Sequence, residues 1–209
     1  MTATQVQLSP RAARTRGALL AAGFELLAER PIDAIAIDDI VARAGVAKGS
    51  FFNHFTDKAG FAAELGAAVR AELELLVGAA NAGVADPVER LAGGMRVALD
   101  FALTQRKRCI VMLRGLELST GLNHRLNQGI RADIEAIVAA GLARPEAASS
   151  GVRFWLGLCQ IMQLNAIERE LSRRDAAQRL REMLVLGLTG LGVPESRALD
   201  VAQRVSGAF

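Results

Sequence analysis

The sequence has no tyrosine, one tryptophan and only 4% aromatic residues, so its 51% apolar content rests on Ala, Leu, Val and Ile. Ala and Leu favour helix. Its two histidines, His54 and His124, lie far apart and outside any metal-ligand spacing. There is no nucleophile elbow and no phosphate-binding loop. Gly187, Gly190 and Gly192 have the spacing Gly-x-x-Gly-x-Gly but follow no strand pattern, so they make no dinucleotide fingerprint. These gaps argue against an enzyme, and no metal or cofactor is expected. Cys109 and Cys159 have no CxxC spacing, and they read as buried free thiols of a reducing cytoplasm. The apolar run from Gly17 to Leu27 is interrupted by Glu25 and continues as an amphipathic helix, unlike a signal-peptide core. No apolar stretch reaches the roughly 18 residues of a membrane span, so a cytoplasmic protein with no membrane partner is expected.

Charged residues make up 22% of the chain, with a formal net charge of +3. That balance permits a nucleic-acid partner without requiring one. Through Lys58 there are seven basic residues (Arg11, Arg14, Arg16, Arg30, Arg43, Lys48, Lys58) and six acidic ones (Glu25, Glu29, Asp33, Asp38, Asp39, Asp57), a net of +1. Any basic surface in this region must arise from sorting charge by face. Apolar spacing predicts a helix from Arg11 to Arg30, with Leu20, Phe24 and Leu27, and Leu19 and Leu26 alongside, on one face, broken by Pro31. A second begins near Ile37, with Asp38 and Asp39 at the positive end of its dipole, and Gly45 stops it. A third runs from about Ala47 to Phe55, and Thr56 caps a long fourth helix over about 57–80. Further helices are expected near 87–107, 109–118, 123–142, 146–171 and 175–190, with a short one after Pro194. β-alternation is absent. The expected fold is all-α with about nine to ten helices: a domain over 1–58, ordered from about residue 9, and a larger one over 59–209 joined to it by the fourth helix.

The informative stretch is Ile37 to Lys58, IDDIVARAGVAKGSFFNHFTDK, in which two short helices meet at a glycine. That is the design of a helix-turn-helix unit. Gly45 suits a left-handed conformation that costs other residues about 1 to 2 kcal/mol. The second of these helices presents Ala47, Lys48, Gly49, Ser50, Asn53 and His54 on its outer side, and its small first residues allow close approach to DNA. The pattern of two acids, Ile, Ala-Gly-Val, Lys-Gly-Ser, His-Phe and a following Lys resembles the N-terminal signature of TetR-family transcriptional regulators over about residues 11–60.

The resemblance implies that Ala47, Lys48, Gly49, Ser50, Asn53 and His54 lie in or beside the major groove, with Ser50 and Asn53 at base edges. It implies phosphate contacts from Lys48, His54, Lys58 and Arg43, and an arm formed by Arg14 and Arg16. Three positions where the family commonly has a hydroxyl are apolar here: Ala36, Ala47 and Phe52, the last a DNA-facing residue in place of Tyr. It further implies a homodimer on a palindromic operator, acting as a repressor released by a small effector. A sparse aromatic content points to a hydrophobic or amphipathic effector. A dimeric helical binding protein with weak or no DNA binding, and a transcriptional activator, are the alternatives.

The candidates for the effector are Met112, Arg114, Glu117, Trp155, Gln160 and Gln163. The stretch Phe154 to Leu164 reads as apolar on every side, which calls for cover from a second subunit. The expected dimer contacts are Trp155, Cys159 and Met162, with Leu180, Leu184 and Leu188 of the next helix.

Overall fold

The computed structural model describes residues 9–115 and 125–209; among these it has ten α-helices, two 3-10 turns and no strand, so the fold is all-α as expected. The chain divides into two compact units. Of the described residues, the first holds 9–68 and 110–115, the second 69–109 and 125–209. The division falls inside the fourth helix, after Ala68, and the sequence carried no sign that 110–115 would join the first unit.

In the first unit, α1 spans Pro10–Glu29. Ser9 caps it by accepting the Ala12 N–H at 3.3 Å, and Pro10 takes the first helical position, where its missing donor costs nothing. The helix buries Leu19, Ala22, Leu26 and Leu27, while Leu20 and Phe24 stay half-buried at the edge of that face. Pro31 ends the run, and a 3-10 turn over Ile32–Ala34 leads into α2, Ile37–Ala44. With Ala at position 36, no side chain caps α2 in the usual way, but the Asp39 carboxylate accepts the Ala36 N–H at 3.3 Å and the Arg30 guanidinium at 2.7 Å. Gly45 adopts φ 66°, ψ 34°, the left-handed turn required of it. The short α3 covers Lys48–Phe52 and stops before Phe55.

The long α4 spans Lys58–Ala80. Asp57, rather than the expected Thr56, serves its start, accepting the Gly60 N–H at 2.7 Å. Phe51, Phe55 and Phe61 meet with ring centroids 4.7 to 5.4 Å apart, and Phe51 is wholly buried. A side chain on Gly23 of α1 would put its Cβ 2.2 Å from the Phe61 ring, so glycine is what lets the aromatic cluster seat against α1. The Lys58 ammonium donates to the carbonyls of Ile32 (3.2 Å) and Ile35 (2.8 Å), pinning the turn between α1 and α2.

In the second unit, α5 spans Pro87–Thr104, opened by Pro87 and capped by Asp86, which accepts the Val88 N–H at 3.0 Å. It packs against α7 (Gln128–Ala139), α8 (Ala147–Arg169), α9 (Arg173–Leu191) and α10 (Glu195–Gly207). The helix between α5 and α7, α6 (Arg106–Arg114), runs into the first unit. The core joins Met95 and Leu99 of α5 to Ile134 and Ile137, Trp155 and Met162, Leu180, Leu184 and Leu188, and Val201. The helix after Pro194, expected to be short, runs 13 residues and buries Ala198, Val201 and Ala202. Among the described residues no helix is long and apolar enough to cross a membrane.

Two expectations follow from this packing. Burial pushes the thiols of Cys109 and Cys159 up to about 12, so almost no thiolate exists at pH 8. Both should stay unreactive toward Ellman's reagent in native protein and react at once in denaturant. Lys58→Met should lower the stability of the first unit by about 1 to 3 kcal/mol, measured by urea unfolding, because it leaves the Ile35 carbonyl without its donor and removes one of the two donors to the Ile32 carbonyl. Unchanged stability would refute the anchoring role of Lys58.

Candidate nucleic-acid interface

The angle between α2 and α3 is set by burial on both sides of the turn. Ile40 and Val41 anchor α2, and Phe51 and Phe55 anchor α3 and the residues after it. The turn is closed by the Val46 N–H donating to the Val41 carbonyl at 3.0 Å and the Gly45 N–H to the Ala42 carbonyl at 3.2 Å. What remains outside on α3 is Lys48, Gly49, Phe52 and Asn53, all exposed, with Ser50 and His54 half-buried at the edge. The side chains of Ser50, Asn53 and His54 have no hydrogen-bond partner among the described residues. Nothing lies within 4 Å of where a Cβ on Gly49 would stand, so this part of the helix backbone is open to a close approach. Ala47 occupies the cap position of α3 and offers no side-chain acceptor. These residues therefore sit together on one face.

The cations are arranged less simply. Lys48 pairs with Asp38 at 2.9 Å, and Arg43 with Glu29 at 3.6 Å; all four side chains are about half exposed. Such pairs are worth about 1 kcal/mol or less and yield readily to another anion. Arg16 behaves differently: its guanidinium bonds to Glu64 of α4 and lies over the Phe55 ring, 5.4 Å from the centroid. The expected Arg14/Arg16 arm is therefore divided, with Arg14 exposed and free of ion pairs among the described residues and Arg16 tied into the fold. Lys58, expected at a phosphate, is also engaged within the fold. Two carbonyls already take its ammonium, which explains a lysine at a helix N-terminus without any external anion. Sequence reasoning missed Asp38 and Glu64 as partners because pairing across helices has no sequence spacing.

The expected effector residues are divided between the two units. Met112 and Arg114 belong to the first unit; Met112 is buried, and the Arg114 guanidinium donates to the Leu27 carbonyl at the end of α1 (2.7 Å). Arg114 thus acts as a tie onto α1. Glu117 lies outside the described residues. In the second unit Trp155 is core, and Gln163 is buried with its amide donating to the Ala98 carbonyl at 3.1 Å, so its polarity is satisfied inside the fold. Gln160 is half-exposed. A half-buried Arg70–Glu74 pair, within electrostatic reach of the Cys159 thiol, is a polar feature that the sequence reading did not single out.

The expected dimer contacts are also corrected. Trp155, Met162, Leu180, Leu184 and Leu188 all lie in the core of the second unit, at most 1% exposed, and so offer no surface for contact with a second chain. Cys159 is half-buried with a shielded thiol. The apolar residues that α8 and α9 expose are Phe154, Ile161, Leu164 and Leu186, one face over from those expected.

No group of three or more potential metal ligands occurs among the described residues. Residues 19–65 match the family model described as bacterial regulatory proteins, tetR family. A TetR-family transcription regulator from Shewanella sp. PV-4 shares the fold with a TM-score of 0.72 at 16% identity, covering 85% of this chain and 97% of that one. RolR in complex with resorcinol gives 0.61 at 19% identity, covering 93% and 95%. A gamma-butyrolactone receptor described as ArpA-like gives 0.57 at 20% identity, covering 95% and 98%. No curated protein matches the sequence. The chain therefore carries the N-terminal domain of TetR-family bacterial regulators at residues 19–65, within a helical fold that it shares over most of its length with solved regulators of that family.

Proposed function

We propose that the protein is a ligand-responsive repressor that binds a palindromic operator as a homodimer. The observation that carries this reading is the outer face of α3. Phe51 and Phe55 hold the helix from inside, while Lys48, Gly49, Asn53 and the unpartnered side chains of Ser50 and His54 are left for DNA. Asn53 and Ser50 suit base edges; Lys48, His54, Arg43 and Arg14 suit phosphates. The committed state of Arg16 and Lys58 removes two cations from that set. Dimerisation would set two such helices about 34 to 36 Å apart, in successive major grooves.

The exposed face of α8 and α9 supports the dimer. Phe154, Ile161 and Leu164 share it with Leu186, and the Phe154 ring lies against Gly190, so the two helices present one apolar surface. Water is a poor cover for such a patch. The resorcinol complex and the butyrolactone receptor support a small amphipathic effector. That effector acts through its differential affinity for the DNA-competent and released states, typically 1 to 3 kcal/mol of coupling.

One observation favours the binding-protein alternative. Among the described residues Arg16, Arg43, Lys48 and Lys58 each already have an intramolecular carboxylate or carbonyl partner, and Ala36 and Ala47 supply no hydroxyl for phosphate. A mobility shift with the DNA upstream of the protein's own gene decides between the readings. Retention that weakens with salt is expected, and Lys48→Ala should reduce the slope of log K against log salt by about 0.9. Asp38→Asn, which frees Lys48, should tighten binding several-fold. Ile161→Asp or Leu186→Glu should give a folded monomer in sedimentation velocity at micromolar concentration. A wild-type monomer under those conditions would refute the dimer.

A further inference from the structure

Phe52 is 55% exposed at the end of α3, a large apolar side chain held out of the core. It is not loose. Its ring stands edge-on to Phe51, with centroids 5.5 Å apart and planes at 83°, and Phe51 has no exposed surface. The helical period puts Gly49 and Asn53 at the middle of the outer face, with Ser50 and Phe52 on its flanks. A phenyl ring has no group that can hold a phosphate oxygen or hydrogen-bond a base edge. The feature of the major groove that it complements is the C5-methyl of thymine, the one methyl group that base edges present there. Its neighbours fit the same groove. Lys48 is one turn earlier on the helix, Gly49 leaves the backbone open, and Asn53 is the adjacent residue with a free amide suited to adenine.

We infer that Phe52 covers the C5-methyl of a thymine in each operator half-site, so that this base is selected by apolar contact and not by hydrogen bonding. This rests on the DNA-binding reading above and adds a specificity-determining residue to it. Withdrawing one methyl group from water corresponds to about a fourfold change in an equilibrium constant. Ala at position 52 removes the ring and with it the preference, whereas Leu retains an apolar contact.

The test uses the full chain and double-stranded oligonucleotides enriched from a random-sequence pool. Each thymine of the enriched site is then replaced, one at a time, by deoxyuridine, which deletes only the methyl group. One thymine per half-site should bind about fourfold more weakly as uracil to the wild-type protein. The same replacement should be neutral for Phe52→Ala and still penalised for Phe52→Leu. An unchanged melting temperature for Phe52→Ala, expected for an exposed ring, excludes misfolding as the cause. An enriched consensus in which every uracil is tolerated, or a penalty undiminished in Phe52→Ala, overturns the inference and leaves the DNA-binding reading intact. Failure to enrich any DNA overturns that reading and this one together.

Discussion

The first unit depends on the contact of Phe51, Phe55 and Phe61 with α1. Each aromatic pair adds about 0.5 to 1.5 kcal/mol beyond its burial. The Phe61 ring comes this close to α1 only because position 23 is glycine. These rings bind α3 from its inner side, so a helix of five residues keeps one orientation although it is too short to be stable alone. Its outer residues can then be polar or, as at Phe52, exposed and apolar without loss of position.

Charge is distributed so that the pairs bracing the fold and the exposed surface pairs draw on different cations. Arg16, Arg30, Lys58 and Arg114 hold turns and helix ends: Arg16 to Glu64, Arg30 to Asp39, Lys58 to two carbonyls and Arg114 to the end of α1. Lys48 and Arg43 keep looser, solvent-exposed partners that a phosphate can replace, and Arg14 has none among the described residues. A net charge near zero over the first 58 residues is thus compatible with a basic outer face. The acids Asp39 and Glu64 neutralise cations that brace the fold, while Asp38 and Glu29 pair with exposed cations in solvent, where screening weakens them.

The second unit satisfies its buried Asp133 and Gln163 side chains internally. Arg90 donates to Asp133 and to the carbonyls of Val84 and Ala85; burial raises the Asp133 pKa, and the guanidinium beside it works in the opposite direction. Gln163 is paired with Ala98. Buried Arg197 Nε has no partner, and this unit exposes large apolar side chains at Leu75 and Leu76 of α4, at Leu199 of α10 and along the outer face of α8 and α9.

The sequence alone determined the all-α class, the breaks at Pro31 and Gly45, the proline that opens α5, and the grouping of Lys48, Gly49, Ser50, Asn53 and His54 on the outer side of the turn. These are local consequences of helical period and of proline and glycine geometry, all within a few residues of their cause. Tertiary structure alone decided which side of α8 and α9 is buried: a helix apolar on every side carries no periodic signal, so its inner face is set by α5 and not by its own sequence. It also decided the fate of the charges. Arg16 meets Glu64 across 48 residues and Arg114 meets Leu27 across 87, and no pattern within a helix can encode a partner that only folding brings into reach.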